Sequence, residues 1–451
     1  MSVSNKKSID MTSGALWNKI LLFALPLAAS SILQQLFNSV DTAVVGRFAS
    51  SQALAAVGSN SSLISLMINL FIGISLGSNV VIARYIGEKS EKNIHAAIHT
   101  AILVAIISGF FVMIAGQFIA KPVLLLMGTP EDVIDLAVLY LRIYLLGMPF
   151  IMLYDFGSSI LRSTGDSRRP LYCLIVAGVI NTLLNLVLVI VFRLGVSGVA
   201  IATVISNIVS SSMVIYILTH ESEPIKLELR QLKISVKELK KILVIGIPAG
   251  LQNAIFQIAN LFVQAGVNSF DATMVAGNSA ATNADAMVYD VMAAFYTACG
   301  SFMGQNYGAG KKKRVRNSYL ISLAYSFGIG LILGVSLVFF GRAFLSLFTR
   351  DAAVMNAGMY RLTIMGFSYC ISAFMDCTIA AARAMGKSII PMFIVIMGSC
   401  VFRVIWVYTI FAYFHTIPSL YLLYVFSWSI TAVAEILYFI RIYKQKMALL
   451  S

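Results

Sequence analysis

The stretch DFGSSILRSTGDSRRP at 155–170 returns as DCTIAAARAMGKSIIP at 376–391. Asp155, Arg162, Gly165, Ser167 and Pro170 recur 221 positions later as Asp376, Arg383, Gly386, Ser388 and Pro391, and each copy closes one long apolar segment and opens the next. The register continues on both sides at nearly the same offset: Pro26 pairs with Pro248, Gln35 with Gln257, Asn38 with Asn260 and Gly87 with Gly308. The chain reads as an internal duplication over both halves, and two homologous halves in lipid point to transport.

Lipid follows from composition. Of 451 residues, 59% are hydrophobic and 12% charged, with a mean hydropathy of +0.87. A hydrocarbon layer ~30 Å thick takes about 20 apolar residues per helix. Runs of that length predict twelve spans, near 19–45, 54–83, 97–120, 134–161, 171–192, 196–219, 242–268, 274–304, 318–341, 357–382, 389–413 and 418–440. Helices are the only reading, because lipid leaves open backbone groups unsatisfied and these runs are too long and too uniformly apolar for barrel strands.

The net charge of +14 does not imply nucleic acid, since the charges mark one side of the membrane. With twelve spans and the N-terminus inside, most Lys and Arg fall at cytoplasmic termini and loops, among them Lys89, Lys92, Arg168, Arg169, Lys311, Lys312, Lys313, Arg314 and Arg316. Both termini are then cytoplasmic. Six spans per half make the repeats parallel, two six-helix lobes related by a pseudo-twofold axis along the membrane normal with a cleft between them. The divisions are an N-lobe at 1–220, a cytoplasmic surface linker at 221–241 and a C-lobe at 242–451. Lys6 and Lys7 precede a polar stretch to about Asn18, and the first span is too long for a signal-peptide core, so no cleavage is expected.

Cys173, Cys299, Cys370, Cys377 and Cys400 all lie in apolar spans, an odd and buried set that reads as packing rather than a disulfide framework. His95 and His99 have a helical i, i+4 spacing but no further ligand nearby, so neither a metal nor another cofactor is expected. The spans are read as carrying no HExxH, GxSxG or CxxC catalytic site, which argues against an intramembrane enzyme.

Ionisable residues inside spans are costly, and function is their default reading. Asp41, Asp155, Asp285, Asp290, Asp376 and Glu435 are the acids there; the alternative for Asp41 is an interface carboxylate near its helix end, and for the others a hydrogen bond that glues neighbouring helices. Gln34, Asn38 and Asp41 share one helical face of the first span, and Asn253, Gln257, Asn260 and Gln264 share one on the seventh. These faces are expected to line the cleft, amides contacting a variable ligand by donating or accepting. Phe37, Phe256, Tyr289, Met292 and Tyr296 are either an adaptable apolar wall or residues facing lipid. Asp376 is counted with the substrate cavity. Pro26 removes a backbone donor fifteen residues before Asp41 and permits a bend. Gly73 with Gly77, Gly246 with Gly250 and Gly304 with Gly308 suit close helix packing.

Several segments together resemble the multidrug and toxic compound extrusion (MATE) transporters: QQLFNSVDTAVVGRF after Pro26, LRSTGDSRRP at 161–170, NTLLN at 181–185, GVSGVAIATVIS at 195–206 and GSFMGQNYGAGKKKRV at 300–315. The resemblance implies twelve helices in two lobes and export of cationic or amphipathic organic compounds driven by inward proton or sodium flow. It implies that Asp41 is the coupling acid, that Pro26 allows its helix to bend, and that Asn181, Asn185 and Thr203 complete an N-lobe cation site. Position 185 often holds Asp in that family, and here it is Asn; Asp155 stands where relatives often carry Asn, so the missing charge is read as moved there and Asp155 is counted with the cation-coupling residues. The seventh span lacks the acid some relatives carry. A single titrating carboxylate suits protons better than sodium, which prefers several oxygen ligands with full charge. The reading is a plasma-membrane antiporter working by alternating access, functional as a monomer, with lipid and small organic molecules as its partners. A flippase for a lipid-linked saccharide is the alternative; its anionic cargo would need inward-facing Arg142, Arg361 or Arg403.

Overall fold

The computed structural model describes residues 8–448, so Lys6 and Lys7 lie outside the described residues. Regular structure among the described residues is helical throughout. In chain order the helices are α1 Leu16–Phe48, α2 Ser51–Gly87, α3 Glu91–Leu126, α4 Ile134–Leu146, α5 Met148–Ser163, α6 Arg168–Val191, α7 Val196–Thr219, α8 Val236–Val267, α9 Ala272–Gly308, α10 Lys312–Leu345, α11 Ala352–Ala384, α12 Ile389–Phe414 and α13 Ile417–Ala448.

By length and hydropathy 10 of these can cross a membrane, or 11 when α4 and α5 are taken as one span bent by 47°. The bend answers the single run expected at 134–161: Pro149 opens α5 and gives no backbone donor to the turn before it. The remaining expected span is α9. Its 37 residues are long enough, but Asn278, Asn283, Asp285 and Asp290 dilute its apolar character; Asn278 and Asp285 are buried among neighbouring helices rather than offered to lipid.

The repeated signature is a helix stop followed by a helix start. Gly165 and Gly386 both take left-handed backbone, at φ 94° and 80°, where a side chain would be strained, and this is why glycine recurs there. The repeat also reaches conformation: π-helical turns occupy Leu186–Val191 in α6 and Val407–Phe411 in α12, at corresponding positions.

Two compact units emerge, one of Ala29–Gly246 with Ile9, the other of Asp10–Ala28 with the chain from Ile247 onward. The division passes through α1 just after Pro26 and through α8 just before Pro248. In the second unit the opening segment is held by side chains of α9 and α10: Asn306 and Arg314 both donate to the Met11 carbonyl (3.0 Å each), and Phe23 packs edge-on to Phe302 at 5.7 Å. In the first unit the start of α8 packs on α2, where a Cβ on Gly77 would strike the backbone of Ile242 and Gly246. Buried Glu238 there accepts from Tyr85, which also takes a bond from Lys241.

The linker, expected on the surface, is largely exposed or half-buried and is also pinned to α3. Leu227 is buried, Glu228 donates its N–H to His99 Nε2 (3.1 Å), and Ser235 donates to Thr100 Oγ1 (3.0 Å). His99 is thereby occupied as a structural acceptor. All five cysteines are buried and free.

One GxSxG string is in fact present, Gly73-Ile74-Ser75-Leu76-Gly77, correcting the sequence reading. It lies inside α2, where Ser75 Oγ donates to the Ile72 carbonyl at 2.9 Å. A continuous helix lacks the strained strand-to-helix turn that makes such a serine a nucleophile.

Candidate functional site

In the first unit Asp41 lies two turns before the end of α1, facing α6. Asn185 donates its amide to Asp41 Oδ1 and to Asn181 Oδ1 (3.1 Å), and Asn181 in turn reaches Thr203 Oγ1 of α7 at 3.5 Å. The four residues carried over from the family resemblance thus form one chain across three helices. Local structure explains it. Asn181 and Asn185 are one turn apart and share a face, and the π-helical turn begins immediately after Asn185, a distortion common at functional sites. Asn185 is fully buried and its Oδ1 has no partner. A half-buried acid with an amide acceptor beside it is suited to holding a proton or a small cation. Tyr140 and Tyr144 of α4 lie within electrostatic reach of Asp41, and the sequence reading passed over both, since tyrosine in an apolar span is ordinary.

Asp155 stands apart from this chain. Its Oδ2 is buried without a partner, the charge acting on it is that of Arg162 on its own helix, and no hydrogen bond ties it to Asp41 or Asn185. Of the α1 amide face, Gln34 and Asn38 are exposed. Phe37 is not a free wall residue: its ring fills the place that a Cβ on Gly178 of α6 would take. Gly178→Ala is therefore expected to destabilise by about 1–3 kcal/mol through overpacking, and a Phe37→Ala change made with it should restore the melting temperature.

The second unit is more charged inside. Asp285 of α9 accepts from Arg361 of α11 (Nε 2.7 Å, Nη2 2.6 Å) and from Tyr369. Arg361 Nη1 also donates to Asn278 Oδ1 (2.9 Å), which accepts from Tyr421 as well (2.8 Å). Asn278 donates to Gln264 Oε1 at 3.2 Å, so this expected cavity amide is drawn into the network. Asn260 accepts from Arg403 Nη1 at 3.0 Å, and Phe256 lies under the same guanidinium, 4.6 Å from its ring centre. Tyr289 packs edge-on against Tyr369 and Trp428, while buried Met292 sits against Gly330. Asn253, Gln257 and Asp376 are partly buried.

A cavity of about 550 Å³ opens in the first unit among the ends of α1, α4, α6 and the start of α7, lined by Phe48, Leu136, Leu139, Ile190 and Arg193 among others. None of the residues expected to line a substrate cavity belongs to it. Of the three arginines an anionic lipid cargo would need, Arg142 is exposed, Arg361 is neutralised by Asp285, and Arg403 is 1% exposed between Phe256 and Tyr424.

The family model described as MatE matches residues 26–187 and 248–409, opening at Pro26 in one half and Pro248 in the other. The chain is 30% identical over 396 residues to the probable multidrug resistance protein YoeA of Bacillus subtilis (strain 168), covering 86% of this chain and 85% of that protein. It is 27% identical to a Shewanella oneidensis protein named FAD transporter, over 74% of each. A solved structure described as the outward-facing conformation of a multidrug resistance MATE family transporter of the MOP superfamily shares its fold, with a TM-score of 0.91, 23% identity, and coverage of 98% of this chain and 99% of the other. Matched by one family model in both of its repeats and by a relative along most of its length, this chain belongs to the MatE family.

Proposed function

We propose that this protein is an ion-coupled antiporter that exports amphipathic, largely cationic organic compounds across the plasma membrane by alternating access, with Asp41 as the coupling acid. The observation that carries the reading is the chain Asp41–Asn185–Asn181–Thr203 in the first unit. It places one carboxylate among neutral amides, where gain or loss of a proton changes the charge offered to a cationic ligand. Proton and cargo must prefer different states for coupling to arise. The kinship with proteins named for multidrug resistance supports a broad organic cargo. The basic loops support cytoplasmic termini, the two sequence halves act as the two lobes, and a duplicated chain holds both within a functional monomer. A flippase is disfavoured because Arg361 is already paired and Arg142 is exposed.

The test is ethidium transport by the purified chain in proteoliposomes under imposed proton or sodium gradients. Proton-driven ethidium movement is the expected result; movement indifferent to either gradient overturns ion coupling. A second prediction concerns the ion. Asn185→Asp restores a carboxylate beside Asp41, and two carboxylates give sodium the charge it lacks, so that variant should show sodium-stimulated ethidium transport where the wild type shows none.

A further inference from the structure

Glu435 of α13 is fully buried, and neither carboxylate oxygen has a hydrogen-bond partner. The charge that faces it is Arg383 of α11, yet no ion pair within 4.0 Å joins them. Arg383 is itself buried; it gives Nη2 to Gln252 Oε1 at 2.8 Å and leaves Nε without a partner. Three buried polar atoms without a protein partner therefore belong to two residues that act on each other electrostatically in the second unit. The other titratable and charged groups acting there are Asp376, seven residues before Arg383 on α11, Tyr296 from α9, and Tyr438 and Arg441 on α13 itself. Buried polar groups are almost always satisfied, so an exception calls for a cause.

The duplication sharpens the point. Arg383 is the repeat partner of Arg162 and Asp376 that of Asp155, one acid and one arginine in each copy. Counted with the same offset, Glu435 falls on Val214, a fully buried apolar residue of α7. The second copy thus adds a buried acid that the first copy lacks, while its Asp376 is faced by both Arg383 and Arg403. A carboxylate buried without a paired cation is strongly disfavoured, whereas a neutral carboxyl needs far less from its surroundings. Closing the gap to Arg383 would satisfy the anion instead.

We propose that Glu435 is a second proton-binding site, exchanging one proton with water between a neutral carboxyl and an anion closed against Arg383. The site stands independently of the transport reading; its part in ion coupling rests on that reading. The test uses pH-difference infrared spectra of the full chain reconstituted in lipid. A protonated-carboxyl C=O band should be lost in Glu435→Gln and move in frequency in Glu435→Asp, while Arg383→Gln should keep it and displace the pH at which it vanishes. A band pattern unchanged in Glu435→Gln overturns the site; should that variant not fold, unchanged spectra in Glu435→Asp and Arg383→Gln do so equally. In the same vesicles, pyranine and ethidium fluorescence give the protons moved per ethidium. A lower ratio in Glu435→Gln is expected, and an unchanged ratio overturns its role in coupling. Ethidium left unmoved by the wild type, with the band intact, overturns the exporter reading and leaves the proton site standing.

Discussion

Asp41→Asn should fold, insert and still bind ethidium, yet lose ion-driven ethidium transport by roughly 100-fold, the size expected when a coupling of about 3 kcal/mol is removed. The substitution is nearly isosteric. Its carbonyl oxygen can still accept the amide that Asn185 now gives to Asp41 Oδ1, so the links through Asn181 to Thr203 are kept. What goes is the exchangeable proton and the charge that depends on it. Without that difference the ion gradient has no differential affinity for two states and cannot bias them. The measurement is initial rate and final accumulation in proteoliposomes under a proton gradient, with ethidium binding followed separately. Accumulation close to that of wild type would remove Asp41 from the mechanism.

What the sequence alone reveals of this protein varies with the range of the interaction. The duplicated signature was legible because its cause is local: Gly165 and Gly386 need left-handed backbone, and that demand sits in single residues. Most spans were legible from apolar length. The helix α9, expected as a span, does not pass a hydropathy test, and its buried Asn278 and Asp285 are satisfied by partners distant in sequence. The i, i+4 pair Asn181 and Asn185 is a fact of spacing, but its link to Asp41 crosses 144 positions and was reached through family resemblance alone. The division of α1 and α8 near their prolines was not legible. Any face of an apolar helix suits a membrane interior, so composition does not say which neighbours its first turns will choose.

The two units also diverge in what they bury. At the positions of Asp285, Arg361 and Arg403 the first copy holds Ile64, Tyr140 and Thr182. Ancestral symmetry at the backbone has been kept while polarity was redistributed, the first unit retaining a sparse acid–amide chain and the second acquiring a network of arginines, acids and tyrosines. A unit whose acids within spans, Asp41 and Asp155, have no ion pair among the described residues suits ion exchange. A unit with a matched Asp–Arg pair is fixed by it.

That fixation predicts the largest loss of stability in the molecule. Arg361→Met should destabilise by about 3–5 kcal/mol, the usual cost of leaving one member of a buried pair without the other. Asp285 would keep only Tyr369, Asn278 would keep only Tyr421 as donor to its Oδ1, the face of Tyr421, now 5.2 Å from the guanidinium, would lose its cation, and Tyr424 would keep only Arg403. The Asp285→Leu change alone should be comparably damaging, because it strands the arginine. Made together, the two should cost far less than their sum, since apolar residues of similar volume often replace a buried ion pair with little loss. Thermal unfolding of the four proteins in one detergent measures the cycle. Additive losses would mean that the pair is not coupled and that each residue is held by its other neighbours; strong non-additivity identifies the pair as the clasp between α9 and α11.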